Sequence, residues 1–166
     1  MTEILTTRLR LRRARLEDAE PLFEVFGDAR AMRYWSTPPH ADIEQTRRFV
    51  QAMIDAPGAL SDDFVIEFGG RVVGKAGCWR LPEIGYILHP DLWGRGLARE
   101  ALEAVIALMF AVREVPALTA DVDPRNERSL GLLARLDFRE THRAARTYRI
   151  GEEWCDSVYL RLDRPT

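Results

Sequence analysis

The sequence predicts a single α+β domain built on a mostly antiparallel sheet, and three observations support this fold class. A chain of 166 residues has the length of one domain. Segments with strand-like patterning outnumber helical ones, and several are joined by tight turns that favour antiparallel pairing. The order of elements is rich in strands at first, then βαβα, and then a final pair of strands. One domain over residues 1–166 is therefore expected, with about seven strands and about four helices.

The first third of the chain predicts one strand and two helices. Residues 8–12, R-L-R-L-R, alternate as a strand with one buried face does. Apolar residues then recur at helical spacing in 16–26 and again in 41–56. Pro57 and Gly58 follow the second pattern and predict its end.

The middle of the chain predicts an antiparallel meander of three strands. Residues 63–68 and 71–79 flank Gly69 and Gly70, a pair typical of a tight hairpin turn. A turn at Leu81-Pro82 leads to the third strand, 83–88.

The last part alternates helices and strands before a closing pair of strands. A helix is expected over 96–110, a strand over 117–122, and strands over 139–149 and 154–162. Between them lies a second amphipathic helix, whose apolar face carries Leu130, Leu133, Ala134 and Leu136.

Composition and charge narrow the class of protein. The net charge of −2 gives no general attraction to nucleic acid. No apolar run approaches the roughly 20 residues that span a bilayer, and the N-terminus lacks the apolar core of a signal peptide. Cys78 and Cys155 have no metal-type spacing and are interpreted as small buried residues. A cytoplasmic protein without a metal site, membrane segment or nucleic-acid partner is expected.

The most informative stretch runs from Glu83 to Leu108, where a strand, a glycine turn and a helix follow one another. The first turn of a helix has unpartnered N–H groups that attract anions, and Gly94 and Gly96 let a large anion approach the backbone. The residues alone leave two interpretations open: a phosphate cradle, or an ordinary turn that contains two glycines. A Rossmann fingerprint is excluded because Arg99 occupies the position of its third glycine, and no Gly-Lys-Ser/Thr triplet of a P-loop exists.

The longer pattern resembles a known family. H-P-x-x-W-G-R-G-L-A is followed by D-P-R-N-E-R-S-L-G-L-L-A-R-L-D-F, and the chain begins with R-L-x-L-R-x-x-x-x-x-D and ends with E-E-W-C-D-S-V-Y-L-x-L. The sequence resembles the GNAT superfamily of N-acetyltransferases, especially the ribosomal-protein (Rim-type) branch, nearly from end to end. The resemblance implies acetyl-CoA as co-substrate, a sheet splayed after the fourth predicted strand, and an association into homodimers as one arrangement open to the chain.

The resemblance also implies a set of residues that bind coenzyme A. The pyrophosphate loop of the family corresponds to Trp93, Gly94, Arg95, Gly96, Leu97 and Ala98. The family usually has Arg or Gln where Trp93 stands, but that position works largely through backbone amides. The edge of the preceding strand, at Tyr86, Ile87 and Leu88, is expected to pair with the pantetheine arm. Asn126 either caps the following helix or hydrogen-bonds the pantetheine, and both roles are compatible.

Two residues are candidates for catalysis. An alkylammonium must lose a proton before it attacks the thioester, and Glu83 is the candidate base; the alternative is a solvated carboxylate at a turn. Many relatives protonate the departing thiolate with a Tyr seven residues after the Asn, which here is Leu133. In the ribosomal-type branch a Ser three residues after the Asn takes this role, which identifies Ser129; the alternative is a serine bonded only to its own helix.

The acceptor is expected to be a primary amine, either a protein N-terminus or a small molecule. Tyr34 and Trp35, in the irregular segment 28–40, either line the acceptor pocket or pack beneath the loop. A second hypothesis is a coenzyme-A-binding module without catalysis, which the missing tyrosine favours and which Glu83 and Ser129 oppose.

Overall fold

The computed structural model describes residues 2–166 as one eight-stranded sheet with α-helices on both faces. The strands are β1 (Ile4–Leu5), β2 (Leu9–Arg12), β3 (Asp62–Phe68), β4 (Arg71–Arg80), β5 (Glu83–Leu88), β6 (Ala117–Val122), β7 (Arg139–Ile150) and β8 (Glu153–Asp163). The α-helices are α1 (Ala19–Phe26), α2 (Ala29–Met32), α3 (Ile43–Asp55), α4 (Leu97–Val112) and α5 (Glu127–Arg135). The strand order across the sheet is β1-β2-β3-β4-β5-β6-β8-β7.

Two apolar clusters pack on opposite faces of this sheet. The larger one joins α4 and α5 to side chains such as Phe64 and Leu118. The smaller one joins α1, α2 and α3 to Val65, Val72 and Ile87. Because neighbouring residues of a strand point to opposite faces, Phe64 and Val65 enter different cores. The prediction of an α+β domain with a mostly antiparallel sheet is confirmed.

The sheet splays between β5 and β6, as the family resemblance implied. These two strands are parallel, and Glu83 and Thr119 are their only paired positions. Pro82 accepts a hydrogen bond from the Thr119 N–H group at 3.0 Å, and beyond this point the strands diverge. The edge of β5 that faces β6 is therefore left without strand partners over most of its length.

The structure contains two short elements that the sequence pattern did not predict. Strand β1 has two residues and pairs with β2, which is too short for any periodicity to show. Helix α2 has four residues and is capped at its N-terminus by Asp28, whose side chain accepts hydrogen bonds from the N–H groups of Arg30 and Ala31. The predicted helix over 16–26 starts with a 3-10 turn at Leu16–Asp18 and continues as α1.

The predicted hairpin turn and the end of α5 both use residues with positive φ. Gly69 and Gly70 both have positive φ in the hairpin between β3 and β4. Asp137 has φ of 68° just after α5, and the Phe138 N–H group donates to the Leu133 carbonyl at 3.0 Å. Asp thus tolerates the left-handed position at which glycine usually ends a helix. Within residues 2–166, no helix combines the length and apolar character needed to cross a bilayer.

Candidate active site

The glycine turn before α4 has an exposed backbone. Gly94 and Gly96 have φ of 78° and 76°, a conformation that residues with a Cβ rarely adopt. A Cβ placed on Gly94 would meet no atom within 4 Å, so the space in front of the turn is free. As the helix begins, the Glu100 N–H group donates to the Gly96 carbonyl at 3.0 Å. The N–H groups of Leu97, Ala98 and Arg99, the first three residues of α4, have no acceptor within the helix and point out of its N-terminal end.

The turn is held from behind by Arg8, a residue that the sequence analysis did not assign to the site. Its Nη1 atom donates to the Arg95 carbonyl at 2.8 Å, and its Nε atom lies 2.7 Å from Glu100 Oε2. Thr6 and the Arg8 N–H group also donate to Glu100. The alternation of 8–12 predicts only that Arg8 faces away from its leucine neighbours. Its contact with α4 spans most of the chain and has no local signal.

Trp93 connects the turn to the end of β5 through its side chain. The indole Nε1–H group donates to the Leu88 carbonyl at 3.0 Å, so that carbonyl is already occupied within the protein. The Arg128 guanidinium lies 4.2 Å from the centre of the indole ring, which brings the start of α5 against the turn. Of the remaining loop residues, Arg95 is exposed, Ala98 is half-buried, and the Leu97 side chain is fully inside the larger core.

The side chains of β5, the strand predicted to bind the pantetheine arm, lie on two opposite faces of the sheet. Ile84, Tyr86 and Leu88 pack against the larger core, whereas Ile87 belongs to the smaller one. Strand alternation therefore places Glu83 on the face of Ile87, opposite Tyr86. Glu83 and the Tyr86 side chain therefore lie on opposite faces of β5, which borders the splayed gap.

Glu83 lies where β5 and β6 part, and its surroundings favour the protonated form. Burial raises the pKa of the Glu83 carboxyl, the negative Asp121 raises it further, and the nearby Trp79 indole acts in the opposite direction. Burial also raises the pKa of Asp121, against the effect of a hydrogen bond with Ser157. Trp79 is half exposed and lies 3.7 Å from the position of a Cβ on Gly85. Asp121 and Trp79 thus join Glu83 on one face, although neither carries a sequence signal for this role.

Ser129 and Asn126 lie at the start of α5. The Asn126 side chain accepts a hydrogen bond from the Ser129 N–H group at 3.2 Å, which is a helix cap. The Ser129 hydroxyl is hydrogen-bonded to the Tyr86 hydroxyl on β5. Leu133 is fully buried in the larger core, so this position supplies no polar group to the site. Tyr86, expected to act only through its backbone, therefore also brings its side chain to Ser129.

Tyr34 and Trp35 differ in their surroundings. Trp35 is half-buried, its ring centre lies 5.9 Å from that of Phe26, and it packs on the smaller core. Tyr34 is also half-buried, and the Arg125 guanidinium in the loop after β6 lies 5.5 Å from its ring centre. Packing accounts for most of the Trp35 surface, whereas Tyr34 connects the 28–40 segment to the loop between β6 and α5.

Comparisons with known proteins identify the family to which the chain belongs. The family profile described as an acetyltransferase (GNAT) domain matches residues 8–139. The chain is 30% identical over 149 residues to the uncharacterized N-acetyltransferase p20 of Bacillus licheniformis, a match covering 84% of each chain. It is 28% identical over 140 residues to spermidine N(1)-acetyltransferase of Escherichia coli, covering 78% of this chain and 72% of that relative.

A solved structure shows the same fold at low sequence identity. The ribosomal-protein-S5-alanine acetyltransferase of Vibrio fischeri superposes with a TM-score of 0.83 at 21% identity, covering 99% of this chain and 97% of that one. The chain belongs to the GNAT family of acetyltransferases. It is an acetyl-CoA-dependent N-acetyltransferase whose relatives include ribosomal-protein acetyltransferases, as the sequence resemblance implied.

The residues present fit coenzyme A on chemical grounds. The open turn at Gly94 and Gly96 offers N–H groups to an anion such as a pyrophosphate. The unpaired edge of β5 offers backbone donors and acceptors to an extended amide-containing arm, except for the Leu88 carbonyl, which Trp93 occupies.

Proposed function

We propose that the chain transfers the acetyl group of acetyl-CoA to a primary amine by direct attack of the amine on the thioester, with Glu83 as the base. The observation that carries this proposal is the position of Glu83 at the closed end of the splay between β5 and β6. Its pKa is raised by burial and by Asp121, which suits a carboxylate that must accept a proton from an ammonium group. The amine nitrogen forms a bond to the acetyl carbon, and the sulfur leaves with the electron pair of the broken C–S bond.

Coenzyme A is assigned to the turn and to the strand edge that leads from it. Backbone N–H groups at Gly94, Arg95, Gly96, Leu97 and Ala98 hold the pyrophosphate. The free edge of β5 at Tyr86 and Ile87 directs the pantetheine arm toward Glu83. Asn126 holds the start of α5, from which the Ser129 hydroxyl donates a hydrogen bond to the departing thiolate.

The acceptor is a primary amine that is cationic in solution. Glu83 and Asp121 share one face beside the splay, so an ammonium group is attracted there and neutralises their mutual repulsion. Tyr34 and Trp79 provide aromatic surface on the same side of the molecule, while Trp35 supports the loop. Relatives acetylate spermidine or the alanine of a ribosomal protein, so both small polyamines and protein N-termini belong to the candidate class.

Two measurements on the wild-type protein test this function. Isothermal titration with acetyl-CoA is expected to give saturable binding, and absence of binding would contradict the proposal. Thiol release is then measured with a panel of spermidine, single amino acids, and peptides that begin with Ala or Ser. Acceptor-dependent release is the expected result; tight binding without any acceptor-dependent release would favour a coenzyme-A-binding module.

The pH dependence separates the base from its neighbour. A base with a raised pKa loses activity as the pH falls through that pKa. Glu83→Gln is expected to lower kcat about 100-fold and to remove this acidic limb. Asp121→Asn is expected to keep the limb but move it to lower pH, because the negative charge that raises the pKa of Glu83 is gone. An unchanged profile in Glu83→Gln would eliminate Glu83 as the base.

A further inference from the structure

The hydrogen bond between Tyr86 and Ser129 joins the middle of β5 to the first turn of α5. Through this contact the Tyr86 hydroxyl reaches Ser129, the residue proposed to donate a hydrogen bond to the departing sulfur of coenzyme A. In the helix position where many relatives carry a tyrosine, this chain has Leu133, with no exposed surface. A tyrosine hydroxyl is thus present at the start of α5, but it comes from the strand instead of the helix.

The hydrogen atoms of this pair can be counted. Each of the two hydroxyl groups carries one hydrogen, and one of these is used in the bond between them. The second remains available for another acceptor. The Ser129 backbone is held by the Asn126 side chain, and Tyr86 is anchored by the β4 pairing of its strand at Ala76. Both hydroxyl groups are therefore carried by ordered elements next to the free edge of β5.

We propose that Tyr86 is a positioning residue for the leaving group: its hydroxyl donates to Ser129 Oγ, so that the Ser129 hydrogen is directed to the sulfur of the departing coenzyme A. This inference rests on the proposed acetyl transfer and deepens it. Without Tyr86, the Ser129 hydroxyl is free to rotate and to donate to backbone carbonyls of its own helix. With Tyr86 as the donor, Ser129 Oγ accepts that hydrogen bond, so the Ser129 hydrogen points away from Tyr86 and can be donated to the sulfur.

The proton balance decides how the pair acts. The ammonium group first gives one proton to Glu83, which passes it to solvent. The neutral amine then forms the N–C bond, the C–S bond breaks with its electron pair on the sulfur, and the nitrogen releases its second proton to Glu83. Burial raises the pKa of Tyr86 to about 12, which is far above the value of roughly 8.5 for an ordinary thiol. The pair therefore does not ionise in place of the thiolate. It stabilises the developing charge by hydrogen bonding, and solvent delivers the proton that finally neutralises the sulfur.

The first test uses a double-mutant cycle with Tyr86→Phe, Ser129→Ala and the double variant. Each single variant is expected to lower kcat about 10-fold, with the dissociation constant for coenzyme A within about 2-fold of wild type. The double variant is expected to be no slower than Ser129→Ala, because Tyr86 acts only through Ser129. Ser129→Thr keeps a hydroxyl and is expected to recover most of the activity. Thermal unfolding of each variant verifies that it is folded.

The second test varies the leaving group, which a purely structural role of Tyr86 would not sense. Rates are compared for S-acetyl-N-acetylcysteamine, an alkyl thioester, and S-(4-nitrophenyl) thioacetate, whose thiolate is a much weaker base. Tyr86→Phe is expected to lose about 10-fold with the first substrate and less than about 3-fold with the second, because a stable thiolate needs little hydrogen bonding.

The outcomes distinguish this inference from the proposed function. Equal losses with both thioesters, multiplicative effects in the double variant, or a Tyr86→Phe enzyme as fast as wild type would each overturn the role of Tyr86. Each of these results is compatible with acetyl transfer by the wild type. A wild-type protein that releases no coenzyme A with any amine would instead overturn both proposals.

Discussion

Removing the Arg8 side chain tests how the glycine turn is held. In Arg8→Met the Arg95 carbonyl loses its donor at 2.8 Å and Glu100 loses an ion pair at 2.7 Å. The Arg8 side chain is 42% exposed, so solvent screens the pair and it contributes no more than about 1 kcal/mol. The carbonyl hydrogen bond adds about 1 kcal/mol. The expected loss is therefore about 1–2 kcal/mol in the free energy of unfolding, measured by urea denaturation.

The same variant is expected to weaken coenzyme A binding by about 3- to 10-fold, because part of that free energy must order the turn before it binds an anion. Isothermal titration measures the effect. Arg10→Met is the matched control, since Arg10 is equally exposed at 42% but pairs with Glu3 and Glu67, away from α4. Equal affinity for coenzyme A in the two variants would refute the argument that Arg8 supports the turn.

The effect of Arg8→Met should also depend on pH. Burial raises the pKa of Glu100, but hydrogen bonds from Thr6 and Arg8 outweigh it, so its pKa in the folded protein is lowered. A carboxyl group with a lowered pKa stabilises the fold above its unfolded pKa and loses this effect as the pH falls through the folded pKa. The difference in unfolding free energy between wild type and Arg8→Met is therefore expected to shrink in acid.

Three further predictions concern the scaffold. Arg12→Met is expected to lower the free energy of unfolding by about 3–5 kcal/mol, because it leaves the buried Asp18 carboxylate without its positively charged partner. A loss below about 1 kcal/mol in urea denaturation would contradict this. Gly74→Ala is expected to lose about 1–3 kcal/mol, since its Cβ would lie 2.2 Å from a carbonyl oxygen of β5. Gly58→Ala, with no atom within 4 Å, is the control and should stay within about 0.5 kcal/mol in the same assay. Burial raises the pKa of Cys78 to about 12, so peptide mass spectrometry after thiol alkylation at pH 8 should show no adduct on Cys78 until the protein unfolds.

The spacing of apolar residues predicts the main strands and helices, because that spacing reflects the face that each element buries. Strand β5 has the predicted bounds, 83–88, since Pro82 precedes its apolar run and the His89-Pro90 turn follows it. The glycine turn is equally local: a positive φ at Gly94 and Gly96 favours residues without a Cβ. Strand β1 and helix α2 escaped prediction because neither is long enough to complete a hydrophobic period.

From the sequence, the candidate site could be predicted only at residues whose side chain and motif position by themselves indicate a catalytic role. Glu83 stands out as a carboxylate at a strand start and Ser129 as a hydroxyl in a motif. Their partners have no such signal. Asp121 acts on Glu83 because two strands that are distant in sequence become neighbours in the sheet, and Tyr86 meets Ser129 because the fold brings the first turn of α5 within hydrogen-bond distance of a β5 side chain.

The order of residues along the chain was thus sufficient for the fold class, the family and the glycine turn, because periodicity, turn chemistry and motif spacing are short-range properties. The pKa of Glu83, the donor behind the Arg95 carbonyl and the phenol beside Ser129 were decided only by the folded structure. Each depends on burial or on a contact between segments more than about 30 residues apart, and such proximity follows from how strands and helices pack.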